Sequence, residues 1–129
     1  FYNVACPTYP EIRLALPGWR RVAERFQSVR PDAVHIATEG PIGWMARRYC
    51  RARAIPFTTS FHTRFPEYLP QRFAIPTSWT TAIIRRFHNA GRGPMAPTPS
   101  LARALAANSF ARARPWTRGP PPHLLPTRP

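Results

Sequence analysis

Residues 58–70, TTSFHTRFPEYLP, place His62, Arg64, Glu67 and Tyr68 within seven positions, directly after a run that reads as a strand. An imidazole with a pKa near ~6.5 can donate a hydrogen bond or move a proton at neutral pH. A second polar group lies upstream in ATEGPIG (37–43), where Glu39 precedes Gly40, Gly43 and a helix start. Small residues with free backbone N–H groups at a helix N-terminus suit a phosphate or a sugar hydroxyl. The segment is neither GxGxxG nor a P-loop, and a βα turn can need Gly for conformation alone. Glu39 and Glu67 also permit a carboxylate pair for glycoside hydrolysis, and Arg64 beside Glu67 fits a loop ion pair worth little. Of the other histidines, His35 reads as a satisfied buried residue within a strand and His88 as lying on the polar side of its helix. His123 lies near the C-terminus. The four have no metal-ligand spacing, so no metal is expected.

These groups need elements to position them. An extended opening over 2–16, broken by Pro7 and Pro10, precedes Trp19, Val22, Ala23, Phe26 and Val29, which follow helical spacing up to Pro31. AVHIA (33–37) reads as a strand. Ile42, Met45, Ala46, Tyr49 and Cys50 mark a second amphipathic helix, with Arg47, Arg48 and Arg51 facing water. IPFTTSF (55–61) reads as the next strand. Trp79, Ile83, Phe87 and Ala90 define a third helix, with Thr77 or Ser78 as cap and Gly91 as stop. PMAPT (94–98) reads as an edge strand, since its prolines argue against a central one. Ser100 is expected to cap a last helix through Leu101, Leu105 and Ala106. Strands alternating with helices of this length predict α/β architecture, a doubly wound parallel sheet. In such sheets ligands bind at the carboxyl ends of the strands. Both polar segments fall there, on one rim if the two strands are neighbours.

Composition bounds the function. A chain of 129 residues is about one domain. Its net charge of +14 calls for an anionic partner or a strongly solvated surface. All 19 basic residues are Arg, and phosphate contact alone would not exclude Lys, so GC-rich coding accounts for much of the charge. Cys50 falls on an apolar helix face and reads as a reduced core thiol; neither it nor Cys6 has metal or redox spacing. No apolar run approaches the ~20 residues of a membrane span, and no signal peptide is visible.

Read in order, CPTYPEIRLALP, RPDAVHIATEGPIG, PFTTSFHTRFPEY, RRFHNAG and PTPSLARAL resemble the N-terminal domain of retaining GT-B glycosyltransferases of the family-4 type, close to the bacterial mannosyl- and glycolipid-forming branch. The resemblance covers roughly residues 6–107. It implies a partial Rossmann-like sheet, one half of a GT-B fold, that mainly receives the acceptor. It implies His62 as the catalytic residue near the transferred sugar. Substrate-binding positions would be Glu39 and Gly40 in a neighbouring cleft loop, with Arg64 and Glu67 as weaker carry-overs. It implies no cofactor beyond a nucleotide-diphosphate sugar as co-substrate, whose site would lie mostly in a second domain, and a lipid or glycan acceptor. The expected place is cytoplasmic, peripheral at the inner face of the membrane.

The family's first strand should precede Phe1, and its second domain should follow WTRG (116–119), where GPPPHLLPTRP stands instead. Residues 1–110 are therefore expected to form a partial glycosyltransferase domain, inactive alone. Residues 111–129 are expected to be a Pro/Arg-rich disordered or out-of-frame tail. The alternative is a basic non-enzymatic module binding nucleic acid or an anionic membrane, supported by nine Arg and no acid over 68–129. The amphipathic placement of those arginines and the lack of an RNP-like or zinc-finger pattern disfavour nucleic acid.

Overall fold

The computed structural model describes residues 2–6, 9–16, 18–61 and 76–116, with side chains from residue 18 onward. Strands β1 (Tyr2–Cys6) and β2 (Tyr9–Leu16) pair antiparallel as a hairpin. They are followed by α1 (Trp19–Val29), β3 (Val34–Ile36), α2 (Pro41–Ala52) and β4 (Phe57–Ser60). The described chain ends with α3 (Thr77–Asn89), β5 (Pro94–Ala96), α4 (Pro99–Ala107) and β6 (Arg114–Pro115). Strands β3 to β6 form one parallel sheet in sequential order. This is the expected α/β, Rossmann-like architecture, with a helix in each crossover.

Two apolar clusters bury the helices against this sheet. Ile36, Cys50, Phe57 and Phe87 join β3, α2, β4 and α3, with Phe26 of α1 packed alongside. Phe61, Ile84, Ala96, Ala102, Leu105 and Phe110 join the β4 end to α3, β5 and α4. Phe87 is fully buried, a site where truncation to Ala costs about 3–5 kcal/mol.

Several local expectations are corrected. On α3 the buried stripe is Thr80, Ile84, Phe87 and His88, whereas Trp79 and Ile83 are 68% and 52% exposed. Both stripes have helical spacing; the winning one carries polar side chains that find partners inside. On α2, Ile42 is exposed and Arg47 is only 6% exposed, donating from Nε to the Phe87 carbonyl and from its terminal nitrogen to the Arg86 carbonyl. The last turn of a helix leaves carbonyls without intrahelical donors, and a guanidinium supplies several. The N-cap of α4 is Thr98, whose Oγ1 accepts from the Leu101 N–H at 3.2 Å, and not Ser100. Pro76 precedes α3 without a side-chain cap, and the helix ends at Asn89, ahead of Gly91.

Strand β5 is central, between β4 and β6. Its prolines are tolerated because Pro94 opens the strand and Pro97 follows it, while the carbonyls of Met95 and Ala96 accept from Phe61 and Trp116. Gly93, before it, has φ +112° and leaves no room for a Cβ, which would lie 2.3 Å from the Arg112 carbonyl oxygen. The segment expected to lack structure from Ala111 opens with a turn and β6. Asn89 holds it by donating to the Ser109 carbonyl and accepting from the Ala111 N–H. Arg112 donates to the Gly91 carbonyl at 2.7 Å. Backbone pairing and these side-chain ties need no apolar periodicity, so nothing in the local pattern of residues reveals them. Residues 117–129 lie outside the described residues.

Cys50 is fully buried, as expected of a core thiol, and burial pushes its pKa above the ordinary 9.0. A raised pKa means that the folded chain holds the thiol proton more tightly, so this contribution is complete below the ordinary value and lost as pH rises through the raised one. Urea midpoints measured from pH 7 to 10 should therefore fall more steeply above pH ~8.5 for the wild type than for Cys50→Ala. Parallel slopes would show that the thiol titrates as freely as in the unfolded chain.

Candidate active site

The carboxyl ends of β3 and β4 lie side by side, because Val34, His35 and Ile36 pair with Phe57, Thr58 and Thr59 in parallel register. Past β3, Thr38, Glu39 and Gly40 lead into α2. Gly40 is the helix N-cap with extended backbone, and its N–H donates to Thr38 Oγ1 at 3.1 Å. Pro41 occupies the first helical turn, where no N–H partner is required. Gly43 lets the loop press onto the helix: a Cβ there would meet the Thr38 carbonyl oxygen at 1.9 Å and the Ile36 side chain at 3.2 Å.

On the β4 side, residues alternate between faces. Thr59 points to the helix layer and is fully buried. Phe61, immediately before His62, is buried in the core and donates its N–H to Met95. His62, Arg64 and Glu67 themselves lie outside the described residues. Of the five expected site residues, the structure therefore describes Glu39 and Gly40, adjacent on the β3 rim.

Sequence reasoning missed His88. It is fully buried and not on the polar side of α3. Its Nδ1 lies 2.7 Å from Thr59 Oγ1, and its Nε2 lies 3.0 Å from Glu39 Oε1. Rings of Phe61, Phe87 and Phe110 surround it at centroid distances of 5.2–5.9 Å. The Glu39 side chain is 9% exposed. A carboxylate can only accept, so with Glu39 ionised the Nε2 atom carries the hydrogen, leaving Nδ1 to accept from the Thr59 hydroxyl in the neutral tautomer. A sequence signal was available: His88 falls eight residues after Thr80 and one after Phe87, on the stripe that is buried.

Arg47 ties α2 to the same place, since the carbonyls that it binds belong to the two residues preceding His88. Its guanidinium also sits 5.0 Å from the Trp44 ring centroid, and that ring meets Phe87 edge-on. Burial, and then the neighbouring charges of Arg51 and Arg86, lower its pKa below the ordinary guanidinium range.

His35 is satisfied as expected but exposed rather than buried. Its ring nitrogens lie 2.8 Å from Thr58 Oγ1 and 2.5 Å from Ser60 Oγ, on the sheet face opposite Thr59. Among the described residues no three His, Cys, Asp or Glu side chains are grouped as a metal site. No described helix is long and apolar enough to cross a membrane. Among the described residues the rim thus holds the Glu39 carboxylate in a fixed place beside a helix N-terminus, an arrangement able to accept hydrogen bonds from ligand hydroxyls.

The sequence model of the family described as Glycosyltransferase Family 4 matches residues 1–119. The chain belongs to that family. A GDP-mannose-dependent alpha-mannosyltransferase of Mycobacterium tuberculosis (strain CDC 1551 / Oshkosh) is 24% identical over 117 residues, which cover 88% of this chain. The match takes in 30% of that relative's length, so the chain spans about a third of it. No solved structure matches.

The packing of the family-4 rim is open to direct test. Gly43→Ala has to push the Thr38 backbone away or unwind the first turn of α2, an overpacking cost of about 1–3 kcal/mol. The expected result is a lowered thermal midpoint together with faster amide exchange at Gly40 and Trp44. An unchanged midpoint would mean that the loop does not rest on α2.

Proposed function

We propose that this family-4 chain is the acceptor-side domain of a glycosyltransferase that moves a hexosyl group from a nucleotide-diphosphate sugar to a lipid or glycan acceptor. The observation that carries the reading is the family match across residues 1–119. The geometry supports it through Glu39 and Gly40, which stand at the carboxyl rim of two adjacent parallel strands, where open α/β sheets take their ligands. Mannose carried by GDP is the first donor to test, since the mycobacterial relative is named for it. In this reading Glu39 and the Gly40 backbone bind sugar hydroxyls, Arg64 and Glu67 contact the acceptor, and His62 orients the transferred sugar by a hydrogen bond from a neutral imidazole. Most donor contacts belong to a second domain, so the chain alone turns nothing over: catalysis depends on holding both reactants together.

In a protein joining this chain to a donor domain, His62→Ala should lower kcat roughly 10²-fold, the loss typical of a positioned acid–base or polar group, with the thermal midpoint kept. Near-normal transfer by that variant would make His62 scaffold.

A peripheral contact with an anionic membrane surface belongs to the same proposal. On α3, Trp79, Ala82, Ile83 and Arg86 recur at helical spacing and are all exposed. Aromatic and aliphatic side chains beside Arg suit a headgroup boundary, where each basic residue gains about 1 kcal/mol near anionic lipid. The chain should therefore cosediment with phosphatidylglycerol vesicles at low salt and not with phosphatidylcholine vesicles, and Trp79→Ser with Ile83→Ser should weaken the binding severalfold. Equal sedimentation with both lipids, or with neither, would remove the membrane from this reading.

A further inference from the structure

We infer that His88 is a positioning residue for the Glu39 carboxylate, acting from within the core without touching substrate; this rests on the reading of Glu39 as a sugar-binding group. Three observations carry it. His88 is fully buried, yet both ring nitrogens are engaged, Nδ1 by Thr59 and Nε2 by Glu39. Among the described residues Glu39 is engaged through Oε1, with no contact recorded there for Oε2. The turn that carries His88 is itself clamped, by Arg47 on the carbonyls of Arg86 and Phe87.

The energetics point away from a purely structural role. Burying an imidazole among Phe61, Phe87 and Phe110, with a buried hydroxyl and a nearly buried carboxylate bonded to it, costs solvation that apolar side chains of equal volume would not. What the polar trio provides that an apolar core does not is a fixed direction. The ionised Glu39 carboxylate can only accept, which puts the ring hydrogen on Nε2, 3.0 Å from one carboxylate oxygen, and the Thr59 hydroxyl, able to donate or accept, serves Nδ1 as the donor. A carboxylate free to rotate about its last torsions would have to be ordered each time a ligand bound. Held by one oxygen, it meets a sugar hydroxyl with the other already placed.

Two measurements test the inference. In the unmodified chain, a long-range 1H–15N spectrum of the His88 ring should show Nε2 protonated and Nδ1 bare; a bare Nε2 would overturn the proposal whatever the variants do. The kinetic arm uses the protein joined to a donor domain. His88→Phe should lower kcat/KM for the acceptor roughly 10- to 100-fold, the range seen when an outer-shell partner is removed from a ligand-holding residue. His88→Gln, which keeps an N–H donor at a similar reach, should recover most of it. Glu39→Gln combined with His88→Phe should be no worse than Glu39→Gln alone. If Glu39→Gln is impaired but His88→Phe is not, or if the two losses add, His88 is core and the inference fails while the reading of Glu39 stands. If Glu39→Gln is itself unimpaired, the reading of Glu39 fails and takes the inference with it.

Discussion

The hydrogen bonds of His88 connect what the backbone alone leaves separate. β3 and β4 are neighbours by their ladder, but the loop after β3 and the end of α3 are 49 residues apart in sequence and are joined by the His88–Glu39 side-chain contact. An imidazole has two ring nitrogens at a fixed angle, so one residue can face a strand and a loop together. Because Thr59 and His88 are both fully buried, each polar atom there must be paired, and the requirement propagates outward. It fixes the rotation of α3, which puts Ile84 and Phe87 in the two cores and sends Trp79 and Ile83 to the surface.

That rotation also shows where hydrophobicity misleads. Trp79, Ile83, Phe87 and Ala90 form the more apolar stripe, and a burial argument based on transfer energy alone selects it. The actual stripe gives up Trp79 for Thr80 and Ala90 for His88, because two polar side chains with partners cost less than their free transfer energies imply. Arg47 follows the same logic on α2. Its charge reads as solvent-facing, but carbonyls at a helix end, a Trp44 face and five N–H donors make a buried guanidinium tolerable. Trp44 is a helical neighbour three residues away, but the two carbonyls lie 39 and 40 residues along the chain, where periodicity reveals nothing.

The alternation of helices and strands was legible because it depends on local spacing: α1, α2, α3 and α4 fall within a few residues of the expected spans. The parallel sheet followed from that alternation. The central position of β5 and the existence of β6 were not legible, since both are set by backbone pairing, by Asn89 reaching across from the α3 end and by Arg112 reaching back to Gly91. The position of Glu39 and Gly40 at the carboxyl end of β3 was legible from their place after a strand-type run. His88 reads as polar-side once the stripe is drawn through Trp79, Ile83, Phe87 and Ala90, and the partners that hold it inside, Thr59 and Glu39, come from other elements.

The remaining arginines explain how a small basic chain packs its outer helices. Arg48 lies 4.7 Å from the Trp19 ring centroid and Arg53 lies 4.7 Å from that of Tyr49, while Phe26 stacks on the same Tyr49 at 4.5 Å. Such cation–π contacts are worth about 0.5–1 kcal/mol each at exposed sites. No residue of α1 is fully buried, so the helix depends on these ring contacts for its seat against α2. The guanidinium plane covers an aromatic face that would otherwise meet water, and its stem adds apolar area. Part of the positive charge is thus structural. An account of partners from net charge alone would count these arginines as free for an anion when they already lie over the rings that hold α1 and α2 together.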